Sequence, residues 1–457
     1  YKYYYEDVVD VIKVDKSKVK FIFKGNTNLE LPLIVGQLPV LPKHYWENKN
    51  FEETTLEIPL GSGPYKIKSF DAGRSITYEL NSNYWGKNIP IKKGTENFKI
   101  IQYQYYKDRS IEREAFKSGD IDFFSENSSK EWATSYDIPA VKNNLIRKEL
   151  IQHQNPQGMQ AFVFNTRKEI FNNRKVRKAL GYAFDFEWTN KNLFYNAYKR
   201  SDSFFENSEL ASTGLPIGKE LDYLTPYMDQ LPKEVFQNEY KPPQTDGSGF
   251  MRNKLQEATK LLKEVGWDLV EGELTNNKSG KKFKFEILLV SPAFERIVLP
   301  FKDNLEKLGI KTSVRTIDSA QYQNRLDSFD FDMVVSTFSQ SLSPGNEQRN
   351  FWGSNAAKTN GSRNIAGINS TVVDLLIEKV IASKNRDDLI YATRALDRVL
   401  LWGYYVIPQW HISSYRTLFW DIFDRPAIRP KYSLGTHTWW IDEKKEKNIN
   451  QRKKSIQ

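Results

Sequence analysis

The sequence predicts an α/β protein of more than one domain, in which mixed sheets are covered by helices. The chain has 457 residues, and two or three domains are expected because a single hydrophobic core stops growing at about 250–300 residues. Strand-like and helix-like patterns alternate between Asn253 and Phe338, and such alternation places helices over a sheet. At the end of this segment an apolar strand runs directly into a polar turn, where an α/β fold is expected to bind its ligand.

The first 106 residues contain short alternating apolar runs, which predict strands at 7–14, 19–23, 29–33, 65–70, 75–80 and 100–106. Pro32 demotes the third of these towards a sheet edge, because proline has no N–H for the strand ladder. Gly73 lies in the four-residue link between the fourth and fifth strands and can adopt the positive φ of a tight turn. These two strands are therefore predicted to form a hairpin.

A strand, a helix and a second strand are predicted at 100–106, 110–118 and 121–124, with Gly119 ending the helix. This order predicts a β-α-β unit. The pattern is repeated more clearly at 253–338, where helices at 253–265, 297–308 and 322–328 alternate with strands at 283–289, 310–317 and 331–338. The second segment predicts a largely parallel sheet, because parallel neighbours need crossover connections of helix length.

Two more helices, at 372–383 and 386–402, precede an apolar strand at 404–410. The tail after Asp442 is polar and is expected to be mobile.

Composition excludes several classes of chemistry. The chain has no cysteine, so disulfides, thiol nucleophiles, Cys-ligated zinc and iron–sulfur clusters are absent. The four histidines lie far apart and in no ligand spacing, so neither a metal site nor any other cofactor is expected: His44, His153, His411 and His437. No run of eighteen apolar residues occurs to span a membrane.

A nucleic-acid-binding function is suggested by the net charge of +10 but is not favoured. The C-terminal stretch 443–454 contributes six basic and two acidic residues, a difference of +4, which suits a solvated terminal run. The aromatic residues follow strand spacing or occur in pairs, whereas a stacking platform needs them interleaved with basic residues. We therefore expect no nucleic-acid partner, although a basic nucleic-acid-binding protein remains an alternative.

No catalytic motif is present. The sequence has no G-x-S-x-G, no cysteine and no histidine paired locally with a carboxylate. A glycine-rich stretch at 214–219 departs from a P-loop in its spacing and has Glu220 where Ser or Thr must bind magnesium. The chain is thus predicted to be a binding protein and not an enzyme, and an extracytoplasmic hydrolase built on paired carboxylates remains an alternative.

Several runs carry a family resemblance. They are Gly-Ser-Gly-Pro-Tyr at 61–65, Tyr-Trp-Gly at 84–86, Glu-Ala-Phe-Lys-Ser-Gly at 114–119, Trp-Ala-Thr-Ser-Tyr at 132–136, Met-Gln-Ala-Phe-Val-Phe-Asn-Thr-Arg at 159–167, Arg-Lys-Val-Arg-Lys-Ala-Leu at 174–180, Phe-Asp-Phe-Glu-Trp at 184–188 and Ser-Leu-Ser-Pro-Gly-Asn-Glu-Gln at 341–348. Over nearly its whole length the chain resembles the family five extracellular solute-binding proteins, in the Yej-type branch that feeds oligopeptides to an ABC importer.

The resemblance implies a two-lobed, periplasmic-binding-protein-like fold (type II, cluster C) with a hinge. Residues 1–50 then complete the small subdomain of lobe one, 51–158 form lobe one, 159–405 form lobe two, and 406–457 return to lobe one and include the tail. The hinge strands are expected at 159–165 and 404–410. The resemblance also implies a periplasmic monomer that captures an oligopeptide or modified peptide and delivers it to an ABC permease in the inner membrane. By comparison with the family, an N-terminal portion is expected to be missing.

The resemblance further implies a ligand site around the strand that ends at Phe338. Peptides in such proteins add as a strand to an exposed edge, here 335–338, and the polar turn 339–347 follows it. In related oligopeptide binders an Asp pairs with the peptide ammonium, but Ser341 stands at the matching position, so either Glu347 supplies the carboxylate or the ligand has a modified N-terminus. The predicted contacts are Ser336, Phe338, Ser339, Ser341, Asn346, Glu347, Trp352, Trp132 and Tyr136. Core packing for each aromatic and a surface role for Glu347 are the alternatives.

Overall fold

The computed structural model describes residues 5–25, 28–51, 53 and 55–453. Within these residues the chain divides into two compact units. Unit 1 consists of the described residues up to Gly36 together with Asn155–Ser413. Unit 2 consists of Gln37–Gln154 and the described chain from Ser414 onward.

The strands of the described chain, in order, are β1 (Val8–Lys13), β2 (Val19–Phe23), β3 (Tyr65–Asp71), β4 (Ser75–Leu80), β5 (Ile100–Gln104), β6 (Phe123–Ser125), β7 (Ile146–Gln152), β8 (Met159–Phe164), β9 (Lys199–Arg200), β10 (Trp267–Val270), β11 (Glu273–Asn276), β12 (Lys284–Leu289), β13 (Lys311–Thr316), β14 (Met333–Phe338), β15 (Val406–Pro408), β16 (Trp410–His411), β17 (Ser414–Trp420), β18 (Phe423–Asp424) and β19 (Trp440–Ile441).

The α-helices of the same residues are α1 (Leu31–Gly36), α2 (Lys43–Trp46), α3 (Arg109–Ser118), α4 (Ser129–Thr134), α5 (Pro139–Lys142), α6 (Glu169–Asn172), α7 (Arg174–Gly181), α8 (Phe186–Leu193), α9 (Lys219–Leu224), α10 (Glu234–Gln237), α11 (Arg252–Lys263), α12 (Glu295–Lys307), α13 (Ser319–Asp327), α14 (Glu347–Trp352), α15 (Thr371–Ile381), α16 (Arg386–Trp402) and α17 (Glu443–Lys453). No helix of the described ranges combines the length and the apolar character that crossing a membrane requires.

Unit 1 is built on a five-stranded sheet in the order β13-β12-β14-β8-β15. β12 runs parallel to β13 and to β14, because α12 and α13 provide the crossovers. β8 pairs antiparallel with β14 and with β15. The sheet is therefore mixed, as the fold class predicts, and the parallel part is confined to the segment whose alternation predicted it.

Both faces of this sheet are buried. On β14, Val334 and Phe338 belong to one apolar cluster, whereas Met333 and Val335 pack in another. Successive side chains of a strand point to opposite faces, and a sheet covered on both faces is expected to have nearly continuous apolar strands. The covered faces explain why the run from Met333 to Val335 is apolar without alternation.

Helix α16 supports the first of these clusters and has the bounds predicted from the sequence. Asn385 caps it by accepting a hydrogen bond from the backbone N–H of Asp388 at 2.9 Å. Its last turns are buried all round, and they carry a salt bridge of 2.6 Å between Arg398 and Glu220 whose side chains are 1% and 4% exposed. The buried pair links α16 to α9.

Unit 2 contains two three-stranded antiparallel sheets, in the orders β3-β4-β5 and β6-β17-β7. The predicted hairpin at 65–80 is present as β3 and β4, and Gly73 has a φ of 76°. Phe116, Phe124 and Leu418 lie in the core of this unit.

Four predictions about elements are wrong. The predicted strand at 29–33 is helix α1, which Pro32 permits because a proline fits the first turn of a helix, and Asn28 accepts a hydrogen bond from Leu31 N–H. The β-α-β unit at 100–124 does not form, because β5 and β6 belong to different sheets. The apolar run 404–410 is divided between β15 and β16, which also belong to different sheets.

The fourth concerns the tail, which forms helix α17 as far as Lys453. Asp442 starts it by accepting the N–H groups of Lys444 and Lys445, each at 2.9 Å. Ile449 is 2% exposed and packs in the core of unit 2. A single apolar anchor in a polar stretch was too weak a signal for helical periodicity to be recognised.

The bounds of the two compact units differ from those of the predicted lobes. The limits of the large segment lie at Asn155 and Ser413, where the sequence predicted 159 and 405. The described residues before Gln37 belong to unit 1, whereas the sequence predicted them in lobe one. The reason is local: Asp7 lies 3.6 Å from the guanidinium of Arg349 in α14.

Candidate functional site

Four of the six residues of strand β14 have no strand partner on one side within the described residues. β8 pairs with all six of its residues, but β12 pairs only with Met333 and Val334. From Val335 to Phe338, therefore, no strand of the described residues covers the β12 side. The predicted edge at 335–338 thus lies in an internal strand that is open along two thirds of one side.

The backbone groups of Thr337 point to this open side. Asn165 N–H donates to Asp332 C=O at 3.0 Å, and antiparallel pairing alternates along a ladder, so Val334, Ser336 and Phe338 bond to β8. Val335 and Thr337 then face away from β8. The C=O of Val335 accepts the hydroxyl of Tyr322 at 2.8 Å. Thr337 is then the position whose N–H and C=O have no partner among the described residues. Thr337 could not be singled out from the sequence, since the direction of its backbone groups depends on the register with β8.

The turn after β14 leaves the sheet where Gly158 allows it to pass. A Cβ atom on Gly158 would lie 2.1 Å from the backbone O of Phe338 and 2.8 Å from the Cα of Ser339. A Cβ atom does not approach non-bonded atoms this closely, so the exit of the turn requires a glycine before β8. Ser339 and Ser341 are exposed, and Ser336 is half-buried.

Glutamine side chains anchor the turn to α14. Gln348 Nε2 donates to Gln340 Oε1 at 2.7 Å, and Gln348 Oε1 accepts the indole N–H of Trp352 at 2.9 Å. Arg386 of α16 also donates to the backbone O of Leu342. These bonds hold both ends of the turn on buried helices, which limits the conformations of the exposed serines between them.

Glu347 begins α14 and is half-buried. Its Oε1 accepts the N–H of Gly345 at 2.8 Å and the amide of Gln348 at 3.0 Å. Its Oε2 receives no hydrogen bond, and the carboxylate has no salt bridge, within the part of the chain that the structure describes. A carboxylate oriented through one oxygen retains the other for a cation. Ser341 Oγ accepts the N–H of Ser343 at 3.2 Å, so its hydroxyl hydrogen can still donate.

Asn346 is fully buried and forms hydrogen bonds beneath the surface of the turn. Its Oδ1 accepts from Arg349 at 3.1 Å, and its amide donates to Asp7 at 3.5 Å. Arg349 in turn makes a 2.7 Å salt bridge with Glu378. Asn346 therefore positions the turn and exposes no polar atom to a ligand.

Two predicted aromatic contacts are core residues. Phe338 is 2% exposed and Trp352 is fully buried, and their ring centroids lie 4.6 Å apart. Phe204 packs against both rings. A side chain without exposed surface offers none to a ligand, so the structure favours the core-packing alternative for this pair.

Trp132 and Tyr136 belong to unit 2. Tyr136 is 2% exposed and its hydroxyl donates to Glu126 at 2.6 Å, where Arg113 also binds at 3.1 Å; burial, followed by the hydrogen bond to Glu126, raises the pKa of this tyrosine. Trp132 is half-buried, and the ammonium of Lys148 lies 4.6 Å from its ring centroid. Of these two residues, only Trp132 retains an exposed aromatic surface.

The structure also brings together a serine, a histidine and a glutamate that the sequence analysis did not connect. Ser201 Oγ lies 3.2 Å from His411 Nδ1, and His411 Nε2 lies 3.8 Å from Glu206 Oε2. Burial lowers the pKa of His411 to about 4, with Lys199 adding to the effect, and burial raises the pKa of Glu206 to about 8. Both groups are therefore neutral near pH 7.

This cluster lacks what a hydrolase needs. Ser201 has no exposed surface, so its hydroxyl cannot reach a substrate, and a nucleophile must do so. Because His411 and Glu206 are both neutral, their contact is not an ion pair that orients a catalytic base. The cluster is consistent with a polar contact that closes the core between β9 and β16. No group of three or more metal-ligating side chains is found among the described residues.

Comparison with known proteins defines the class. Residues 1–360 match the family described as bacterial extracellular solute-binding proteins, family 5 Middle. Together with the sequence relative below, this match shows that the chain belongs to that family. It supports the solute-binding function over the hydrolase and nucleic-acid alternatives. The resemblance stated from the sequence is therefore confirmed.

Individual relatives narrow the comparison. The chain is 45% identical over 447 residues to a protein of Agrobacterium fabrum named "Probable peptide-binding protein YejA", and the alignment covers 96% of this chain and 73% of that protein. It is 37% identical over 444 residues to "Peptidoglycan-binding protein YepA" of the same organism, covering 95% and 72%.

Solved structures agree on the fold. The oligopeptide-binding protein AppA from Bacillus subtilis, solved with a nonapeptide, has a TM-score of 0.70 and 19% identity, covering 96% of this chain and 79% of its own. A periplasmic oligopeptide-binding protein from Thermotoga maritima has a TM-score of 0.71 and 19% identity, covering 98% and 80%. The predicted fold class, type II and periplasmic-binding-protein-like, is confirmed.

Proposed function

We propose that this chain is the substrate-binding component of an ABC importer and that it captures oligopeptides or peptide-like compounds at the open side of β14. The observation that carries the proposal is a strand, β14, that is unpaired along one side from Val335 to Phe338 and leads into an anchored polar turn. An exposed strand side is a template for an extended peptide, because it offers backbone N–H and C=O groups that need partners. Closure about a hinge remains a prediction.

In this proposal the peptide adds as a strand alongside Val335–Phe338. The N–H and C=O of Thr337 pair with one ligand residue, and backbone pairing of this kind is independent of the ligand's side chains. Ser336, Ser339 and Ser341 provide hydroxyl groups next to the ligand backbone. Selection then acts on the length and ends of the peptide.

Glu347 is proposed to bind the ligand ammonium through its free Oε2. Its Oε1 is held by Gly345 and Gln348, so the carboxylate is oriented before the ligand arrives, which lowers the entropic cost of binding. A charge-assisted hydrogen bond is about twice as strong as a neutral one. Ser341 contributes a neutral hydrogen bond where related binders use an Asp.

The remaining predicted contacts differ in their burial. Trp132 lies in unit 2 and keeps part of its ring surface exposed, and its contact with the ligand stays a prediction. Phe338, Trp352 and Tyr136 are assigned to core packing on the grounds of their burial. Asn346 is assigned a supporting role beneath the turn.

The names of the relatives support a peptide-like ligand. One relative is named as peptide-binding and another as peptidoglycan-binding, and the Bacillus subtilis structure contains a nonapeptide. Peptidoglycan contains short peptides, so a peptide is the chemistry that both names share. Soluble peptidoglycan fragments are therefore a second proposed ligand class. We further propose a periplasmic location, a permease of the inner membrane as partner, a monomeric state and the absence of catalysis and of nucleic-acid binding.

Native mass spectrometry tests the proposal. The protein is incubated with a pool of three- to nine-residue peptides and, separately, with soluble peptidoglycan fragments, and the bound species are weighed. Unaltered peptides or fragments bound at one per chain are expected. Cleaved products would support the hydrolase alternative, and no bound species from either pool would contradict the proposal.

Backbone methylation of the best-bound peptide locates the strand pairing. Methylation removes one ligand N–H at a time, and alternate N–H groups of an added strand face the protein. Affinity is expected to fall by tenfold or more at alternate positions and to change little at those between. A uniform response along the peptide would contradict strand addition.

A further inference from the structure

A second cavity in unit 1 lies away from β14. It has a volume of about 270 Å³ and is bounded by α7, the loop 240–244 and the edge strand β15. β8 separates β15 from β14 in the sheet, and none of the predicted site residues lines the cavity. It is therefore distinct from the proposed peptide site.

The lining of this cavity is basic. Five basic residues and no acidic residue contribute to it, and three tyrosines form part of its wall: Arg177, Lys178, Arg200, Lys241, Lys254, Tyr182, Tyr240 and Tyr404. A concave surface with charges of one sign attracts ligands of the opposite sign.

Two of the basic residues are already engaged. Arg177 donates to the backbone oxygens of Phe171 at 2.8 Å and of Gly403 at 2.6 Å. Lys241 makes salt bridges of 3.2 Å to Asp202 and 3.1 Å to Glu239. These contacts hold the wall in place and leave three basic side chains to account for.

Lys178 and Lys254 are half-buried and have no salt bridge within the described ranges. Glu234 and Glu264 act on Lys178 through space, but no carboxylate forms a close ion pair with either ammonium group in the part of the chain described. Both lysines therefore leave positive potential in the cavity.

Arg200 gives the clearest indication. All three of its guanidinium nitrogens are buried and have no hydrogen-bond partner among the residues that the structure describes. The guanidinium lies 4.8 Å from the ring centroid of Phe184 and 5.4 Å from that of Phe186, so stacking fixes its plane but satisfies no donor. Burial lowers its pKa to about 10, and the group is still charged at neutral pH.

Nearby acidic groups do not provide the guanidinium of Arg200 with a hydrogen-bond partner. Glu187 and Asp185 act on Arg200 through space, in the direction that favours its charge, but neither forms a salt bridge with it in the part of the chain described. One oxygen of Asp185, Oδ2, is itself buried and has no hydrogen-bond partner within the described ranges. Buried groups of this kind are normally satisfied, and each exception calls for an explanation such as a water or a ligand.

We propose that this cavity binds a small ligand through a carboxylate or phosphate group, with the guanidinium of Arg200 as the principal positive charge behind its wall. This charge favours an anion in the cavity, because no carboxylate of the described residues forms a close ion pair with it. Lys178 and Lys254 add positive charge on α7 and α11, and the tyrosines enclose the non-ionic part of the ligand.

Isothermal titration calorimetry of the full chain tests this assignment with two probes, inorganic phosphate and succinate, at constant ionic strength. Saturable binding of at least one probe is expected with a dissociation constant of about 1 mM or lower, and the probe that binds identifies the source of the anionic group. Arg200→Gln is expected to weaken that binding at least tenfold and Lys254→Gln about threefold or more. Lys263→Gln, an exposed position on the same helix, removes an equal charge outside the cavity and should leave binding unchanged.

Two results would overturn the assignment. One is the absence of saturable binding of both probes by the unaltered chain. The other is binding that Arg200→Gln and Lys254→Gln leave within twofold of the unaltered chain. Should Arg200→Gln fail to fold, the comparison between Lys254→Gln and Lys263→Gln decides. Addition of the best-bound peptide is expected to leave probe binding intact, which separates this site from the peptide site.

Discussion

Replacing Glu347 by glutamine removes one negative charge from the turn after β14 and little else. The amide oxygen of Gln can still accept the N–H of Gly345, which Glu347 Oε1 accepts at 2.8 Å. The side chain keeps its length and the start of α14 keeps its hydrogen bond. Any loss of affinity for a free ammonium group is then attributable to the lost charge.

The expected loss follows from the half-buried position of Glu347. Two unit charges 4 Å apart interact by about 4 kcal/mol at an effective dielectric constant of 20 and by about 1 kcal/mol in water. Truncating a buried, hydrogen-bonded pair costs about 2–5 kcal/mol, whereas an exposed pair contributes about 1 kcal/mol or less. A half-buried carboxylate falls between these limits, and we expect about 2 kcal/mol, or about thirtyfold in the dissociation constant.

Calorimetric titration with the best-bound peptide and with its N-acetylated form measures this effect as a double-mutant cycle. Glu347→Gln should weaken the free peptide about thirtyfold and the acetylated peptide less than threefold. Glu257→Gln, at an exposed position of α11 without a salt bridge among the described residues, controls for the change in net charge.

If Glu347→Gln binds the free peptide within twofold of the unaltered chain, the ammonium is bound elsewhere and Glu347 is a surface residue. If both forms of the peptide weaken equally, the substitution has disturbed the turn and not the ion pair. Either result would refute the reasoning from the free Oε2.

Three further substitutions test the fold that supports the site. Gly158→Ala places a methyl group 2.1 Å from a backbone oxygen and should lower the free energy of unfolding in urea by about 2–3 kcal/mol, whereas Gly36→Ala, with nothing within 4 Å, should not lower it. Burial raises the pKa of Glu206 to about 8, so the folded chain keeps a proton that the unfolded chain has already lost. The free energy of unfolding should therefore fall by about 1.5 kcal/mol between pH 6.5 and 8.0. Glu206→Gln should abolish this pH dependence. Glu220→Gln should cost about 3–5 kcal/mol by leaving a buried guanidinium unpaired, and a cost below 1 kcal/mol would contradict its role.

At acid pH the titration of His411 affects the free energy of unfolding in the opposite direction to that of Glu206. The pKa of His411 is lowered to about 4, so its contribution is present above the ordinary histidine value of about 6.5 and is lost as the pH falls. Glu206 has a raised pKa, so its contribution is present below about 4.5 and is lost as the pH rises through about 8. The two oppose each other below pH 6.5, and only the window above it isolates Glu206.

Local elements could largely be predicted from the sequence. The bounds of α16 agree at both ends, and β2 and β4 have the predicted limits, because periodicity and capping residues act within a few positions along the chain. The position of the polar turn at the end of β14 could also be predicted. Failures occurred where the local signal was ambiguous, as at Pro32, which suits a strand edge and the first turn of a helix equally.

The chemistry of the sites depended on contacts between distant segments. Whether Phe338 and Trp352 face a ligand or a core is decided by Phe204, more than a hundred residues earlier, which packs on both rings. Likewise, the open side of Thr337 exists because β12 stops pairing after Val334. No local pattern of residues encodes either fact.

The sequence by itself thus determined the longer helices other than α17, most strands, the solute-binding family and the place where the polar turn after β14 begins, since each rests on short-range periodicity or on a contiguous motif. Only the tertiary structure decided which backbone groups of β14 remain unpaired, which aromatic rings are buried, and that Arg200 lies in a basic cavity without a partner. These properties depend on strand register and on burial by remote segments, and register moves every side chain to the other face when it shifts by one residue.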